Sequence, residues 1–97
     1  MLYAQVHLTL PPWIHETVDV RTMYVTDDEK MALAVRLSEC NVREGSGGPF
    51  GAALFTESGR VLGVGVNRVL ANSCSAAHAE MMAFATAQQR SQRFRLN

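Results

Sequence analysis

Over the first ten residues Leu2, Ala4, Val6, Leu8 and Leu10 alternate with Tyr3, Gln5, His7 and Thr9. A period of two is that of a strand or extended arm with one buried face. Pro11-Pro12 stops the pattern, and Trp13 and Ile14 are then placed to anchor the arm on the body of the protein. His7 falls on the polar face, and His15 stands beside Glu16; both are read as surface histidines. The period changes further on, where Met31, Ala34, Val35, Leu37, Ser38 and Val42 recur at helical spacing. Just before them Thr26-Asp27-Asp28-Glu29 matches a capping box, in which the Thr hydroxyl and the Glu carboxylate satisfy free amides at a helix start. Its acidic first turn suits the helix dipole. The pattern predicts a helix from residue 27 to about Glu44, with Gly45 free to take the left-handed conformation that ends helices. Cys40 lies within it as a small buried or half-buried side chain.

Ser46-Gly47-Gly48-Pro49 breaks the helix. Residues 50–55 and 61–66 then read as two strands joined by Glu57-Ser58-Gly59-Arg60, a hairpin signal. After a loop over residues 68–75, residues 76–89 are rich in Ala, Met and Gln, so a second helix is expected to begin close to His78. The predicted order is helix, strand, strand, helix. Residues 1–26 form an N-terminal arm and residues 27–97 the body.

At 97 residues the chain has room for one small core. With 47% hydrophobic and 19% charged residues it is not a disordered, collagen-like or coiled-coil sequence. The formal net charge is zero, which argues against a global field for nucleic acid or anionic lipid. The charge is nevertheless uneven: residues 1–57 hold eight acids and four bases, whereas residues 58–97 hold one acid and five bases. Three of those bases lie in Gln89-Arg90-Ser91-Gln92-Arg93-Phe94-Arg95, which reads as a solvated surface run. No segment approaches the about 18 apolar residues of a membrane span, and no Lys or Arg precedes Arg21 as it would in a secretory leader. Two cysteines, Cys40 and Cys74, are too few for a disulfide framework, so a reducing, cytoplasmic setting is expected.

The residues that carry chemistry are His78-Ala79-Glu80, an imidazole and a carboxylate two positions apart in the first turn of the second helix. Positions two apart do not share a helix face, so the pair is not a two-ligand metal clasp. The imidazole can hold a metal on one side while the carboxylate reaches a water or a substrate atom, beside the free amides of the helix start. Taken alone, the triplet is read sooner as a helix-start His followed by an exposed Glu, since His-x-Glu arises by chance in a chain of this size.

Its context is Gly47-Gly48-Pro49-Phe50-Gly51-Ala52-Ala53-Leu54, then the hairpin, then Gly65-Val66-Asn67-Arg68-Val69, then Ala77-His78-Ala79-Glu80. In that order and spacing, residues 47–85 resemble the zinc-dependent cytidine and deoxycytidylate deaminase superfamily, especially its guanine deaminase-like and tRNA adenosine deaminase-like branches. The resemblance implies an α/β fold, a three-layer α/β/α sandwich of which this chain supplies a helix, a hairpin and a helix. It implies hydrolytic deamination of a nucleobase or related compound, with His78 as the single histidine ligand of Zn2+ and Glu80 as the proton shuttle that is not itself a ligand. It implies substrate contacts from Asn67, whose amide both donates and accepts, from the backbone amide of Ala79, and from Phe50 as a wall for a flat base. Phe50 reads equally well as a core residue.

The departures from the family pattern are as informative. Cys74-Ser75-Ala76 stands where many relatives have Asp-Pro-Thr, and no Pro-Cys-x-x-Cys segment is present. Zinc sites need at least three protein ligands, so two further thiolates are expected from polypeptide outside this sequence, and Cys74 is read as a loop thiol. A companion segment or chain completing the domain, and a homodimer, follow from the resemblance, as does a small nucleobase-like substrate. A membrane partner is not expected, and nucleic acid is disfavoured by the charge. Two other readings stand beside this one: an inactive remnant that serves as an interaction module through its open strand edge, and an RNA adenosine deaminase.

Overall fold

The computed structural model describes residues 2–93 and 95. The expected boundary at Asn97, and Phe94 in the Arg-rich run, lie outside the described residues. Thr26 caps a helix where the spacing predicts: its Oγ1 accepts from Glu29 N at 3.1 Å and donates to Glu29 Oε1 at 3.1 Å. The elements in chain order are α1 (Ile14–Thr17), α2 (Asp27–Arg43), β1 (Gly51–Phe55), β2 (Val61–Val66) and α3 (Ala79–Ser91). Gly45, two residues past α2, takes φ +67° as expected of a helix terminator.

β1 and β2 pair antiparallel, with Gly51 opposite Val66, Ala52 opposite Gly65, Ala53 opposite Val64 and Leu54 opposite Gly63. Alternation therefore puts Gly51, Ala53, Val64 and Val66 on one face and Ala52, Leu54, Gly63 and Gly65 on the other. The first face meets α2: Leu33 and Leu37 join Val64, Val66, Val61 and Ile14 in one buried cluster. The second meets α3, whose Ala79, Met82, Ala83 and Ala87 are buried. Gly63 makes this contact close, since a Cβ there would sit 2.8 Å from Ala83 O and from the Ala87 Cβ. Helix, hairpin and helix thus form three layers.

The two edges of the hairpin differ. On the outer side of β2, Thr86 donates to Val64 O (3.0 Å) and Arg90 donates to Val61 O (3.1 Å), so side chains of α3 satisfy carbonyls that no strand covers. On the outer side of β1 no strand pairs among the described residues.

Three expectations need correction. The alternating arm has no buried face: residues 2–9 are exposed and unpaired as a strand, Leu2 at 93% and Val6 at 78%. Alternation selects a face only where a sheet or core lies beside it, and here none does. Apolar packing begins at Leu10, and Pro11-Pro12, read only as a stop, also start α1 through bonds from Ile14 N to Pro11 O and His15 N to Pro12 O. In α2 the buried face is Leu33, Leu37, Cys40 and Asn41, whereas Met31, Val35 and Val42 are exposed. The helix carries two apolar stripes, and the one facing the hairpin includes a polar residue that hydrophobic counting passes over. Farther from the core, an Asp19–Thr22 turn is closed by the bond from Thr22 N to Asp19 O, and hydrogen bonds from Arg21 to the Asp19 side chain hold that exposed carboxyl below its ordinary range.

Candidate functional site

Backbone hydrogen bonds gather the predicted residues at one end of the hairpin, where β1 begins and β2 ends. Asn67 N donates to Phe50 O (3.3 Å), Phe50 N to Gly48 O (2.9 Å) and Arg68 N to Ala77 O (2.9 Å). The strand exit at Asn67 is thereby tied on one side to the glycine-rich loop and on the other to the residue that precedes His78. Phe50 is 58% exposed, so its ring is not part of the core that the described residues form.

His78 is the N-cap of α3, with φ −71° and ψ 158°, and its carbonyl accepts from Met82 N at 2.9 Å. Its side chain makes no capping hydrogen bond and the residue is exposed, so the imidazole is not consumed in ending the helix. Glu80, in the first turn, is exposed as well. Ala79 between them is buried against the hairpin, where Gly65 lets the helix start approach so closely that a Cβ there would overlap Ala79 O. Strand β2 thus sets where His78 and Glu80 stand.

A polar framework missed by reading the sequence surrounds these residues. Asn41 of α2 is fully buried and its Nδ2 donates to Gly48 O (2.9 Å) and to Asn67 O (3.0 Å). Arg68 donates to Ser46 O (3.1 Å) and to Thr9 O (2.9 Å), and Trp13 Nε1 donates to Ser46 Oγ (2.8 Å). Asn72 Nδ2 also donates to Thr9 O, at 3.2 Å. The end of the N-terminal arm is therefore laced to both loops of the site. The one signal in the sequence was an Asn four residues after Leu37 on an otherwise apolar stripe, a place where a polar group costs stability unless it is hydrogen-bonded.

As a metal centre the set is partial. His78 offers a free imidazole, but among the described residues no three His, Cys, Asp or Glu side chains group together as a metal site requires. Cys40 is buried and its sulfur accepts from Arg43 Nη2 at 3.1 Å; Cys74 is half-buried in a loop whose backbone bonds run from Cys74 N to Val69 O and from Ala77 N to Cys74 O. The residues present fit one ligand of a zinc site, not a whole one. Enclosure is partial too: a cleft of about 510 Å³ lined in part by Phe55, Thr56, Glu57 and Leu62 lies at the opposite end of the hairpin and holds none of the predicted residues.

Residues 22–97 match the family model for the cytidine and deoxycytidylate deaminase zinc-binding region. The chain belongs to that family. Among solved structures, a guanine deaminase from Nitrosomonas europaea is 31% identical, with a TM-score of 0.83 over 96% of this chain and 51% of the other. A guanine deaminase from Bacillus subtilis is 31% identical, with a TM-score of 0.68 over 73% of this chain and 45% of the other. NE0047 in complex with 2,6-diaminopurine is 34% identical, with a TM-score of 0.81 over 90% of this chain and 46% of the other. The chain thus falls on the guanine deaminase-like side of its superfamily and spans about half the length of these structures. No curated protein sequence matches it. Among the described residues no helix is long and apolar enough to cross a membrane.

Proposed function

We propose that the chain carries one part of the active site of a zinc-dependent deaminase acting on a purine base, with guanine the first substrate to test. The observation that supports this most is the convergence of Asn67, Phe50 and the His78-Ala79-Glu80 helix start on one end of the hairpin. His78 is the histidine ligand, and two thiolates in a Pro-Cys-x-x-Cys context come from polypeptide outside this sequence. The same companion polypeptide places a strand along the open edge of β1.

Bound zinc would lower the pKa of a water to about 7, making a nucleophile available at neutral pH. Glu80, exposed beside the ligand His78, moves both protons of the attacking water: the first goes to the ring nitrogen, which keeps it, and the second, from the hydroxyl of the adduct, goes to the amine, which leaves as ammonia. One water and the amino-bearing carbon thereby yield a carbonyl and ammonia. Asn67 presents its amide to the polar edge of the base, Phe50 packs on its face, and the Ala79 amide, which has no acceptor within its own helix, is turned to a substrate oxygen. RNA is the weaker substrate class on the neutral charge of the chain.

The test is ammonia release from guanine, adenine, cytosine and adenosine by the zinc-loaded chain together with its companion polypeptide, and by the same assembly with Glu80→Gln. Turnover of guanine, falling ~10²- to 10⁴-fold in the variant, is the expected result. No release from any base, or a variant as active as the parent, contradicts the proposal.

A further inference from the structure

We infer that Asn41 is a positioning residue for base recognition, acting through Asn67; this rests on the reading of Asn67 as the base-contacting amide. Asn41 occupies a core position of α2, in step with Leu33 and Leu37, and is 0% exposed. An apolar side chain there would complete the stripe. Instead both amide hydrogens are spent on loop carbonyls, Gly48 O at 2.9 Å and Asn67 O at 3.0 Å. The backbone carbonyl of Asn41 adds a third tie, accepting from Ser46 N at 2.9 Å. One rigid helical residue therefore fixes both ends of the glycine-rich loop and the exit of β2.

The opposite half of the side chain shows what this arrangement costs. Asn41 Oδ1 is buried without a hydrogen-bond partner among the described residues. A buried acceptor left unpaired is unfavourable, so the residue is explained by its donors and not by its packing. Reversing the amide would set its oxygen against two carbonyls, which fixes the orientation.

Asn67 receives the benefit. Its N–H is held by Phe50 O and its C=O by Asn41, so its backbone is pinned on both sides. Its Oδ1 accepts from Val69 N at 3.3 Å, which turns the side-chain amide in one direction. Gly47 closes the last freedom: a Cβ at that position would overlap Asn67 O and lie 2.7 Å from Asn41 Nδ2. With its backbone held in this way, Asn67 meets a base without first having to be ordered, and preorganisation of this kind appears as affinity.

The experiment is a double-mutant cycle in the zinc-loaded chain together with its companion polypeptide, carried in the Glu80→Gln background and read as 2,6-diaminopurine binding by calorimetry. Asn41→Ser and Asn67→Ala are combined, with zinc content and thermal midpoint measured on each. Asn41→Ser is expected to weaken binding roughly tenfold at unchanged zinc content, and to add little once Asn67 is already Ala. Gly47→Ala, which keeps Asn41 but displaces Asn67, should reproduce both results and serves if Asn41→Ser does not fold. If Asn67→Ala weakens binding and Asn41→Ser adds an independent loss, or lowers the thermal midpoint with no change in affinity, the positioning role is overturned and Asn67 keeps its own. If Asn67→Ala binds as the parent does, the reading of Asn67 falls and this inference with it.

Discussion

The α-carbon of Gly65 lies against the carbonyl oxygen of Ala79 with no room for a methyl group between them, and the same methyl would stand 2.5 Å from Ala83 N. A strand glycine replaced by Ala without a clash gains about 0.4–1 kcal/mol from a stiffer unfolded chain. Here the contact is with helix backbone, which cannot rotate aside, so overpacking decides the sign. Gly65→Ala is expected to destabilise the protein by about 1–3 kcal/mol and to lower zinc occupancy by displacing His78. Denaturant unfolding and metal analysis check it; a more stable variant would show that α3 slides freely on the hairpin.

His78→Ala and Glu80→Gln should separate binding from chemistry. The first is expected to lose the metal. The second keeps the metal and loses turnover by ~10²- to 10⁴-fold, since a proton shuttle is not a ligand. Zinc analysis of the two variants side by side checks the assignment, and equal occupancy in both would undo it.

Asn67→Ala is expected to weaken productive base binding by about 1–3 kcal/mol, the cost of leaving a polar group of the base unpaired, with no change in zinc. Steady-state kinetics with guanine measure this as kcat/KM. Unchanged efficiency would return Asn67 to a turn residue that follows a strand.

Local chemistry is what the sequence made legible. Thr26 and Glu29 announce a helix start because both partners of the capping box lie within one turn; the structure shows the Thr26 cap on Glu29 N, while the Glu29 carboxylate accepts from the Thr26 hydroxyl and not from its amide. The hairpin limits and the start of α3 at His78 were readable for the same reason, as turn residues and a change of period mark them within a few positions. Long-range choices were not. Which stripe of α2 faces the hairpin depends on a partner distant in sequence, and Asn41 went unread because the carbonyls it serves belong to residues 48 and 67. The arm failed differently, since its alternation needs a neighbouring strand that none of the described residues supplies. The gathering of Asn67 and His78 was legible only through likeness to a family, because no local rule predicts the bond from Arg68 N to Ala77 O.

Trp13 fastens the arm to the glycine-rich loop through its bond to Ser46 Oγ. Trp13→Phe keeps most of the ring and removes the donor. The expected loss is about 0.5–1.5 kcal/mol of stability, measured by denaturant unfolding, and Ser46→Ala in the same background should add less than it does alone. Full additivity would mean that the bond contributes nothing.

The central claim is that this chain contributes one zinc ligand, His78, and that the remaining ligands lie in other polypeptide. Metal content per mole of protein tests it most directly, measured on residues 1–97 alone and on residues 1–97 together with the companion polypeptide after identical zinc loading and dialysis. The account predicts one equivalent with the companion polypeptide present and little in the 97-residue chain alone. A cooperatively folded 97-residue chain that retains one zinc and deaminates a base would contradict it, and would place Cys74 or Cys40 in the metal site.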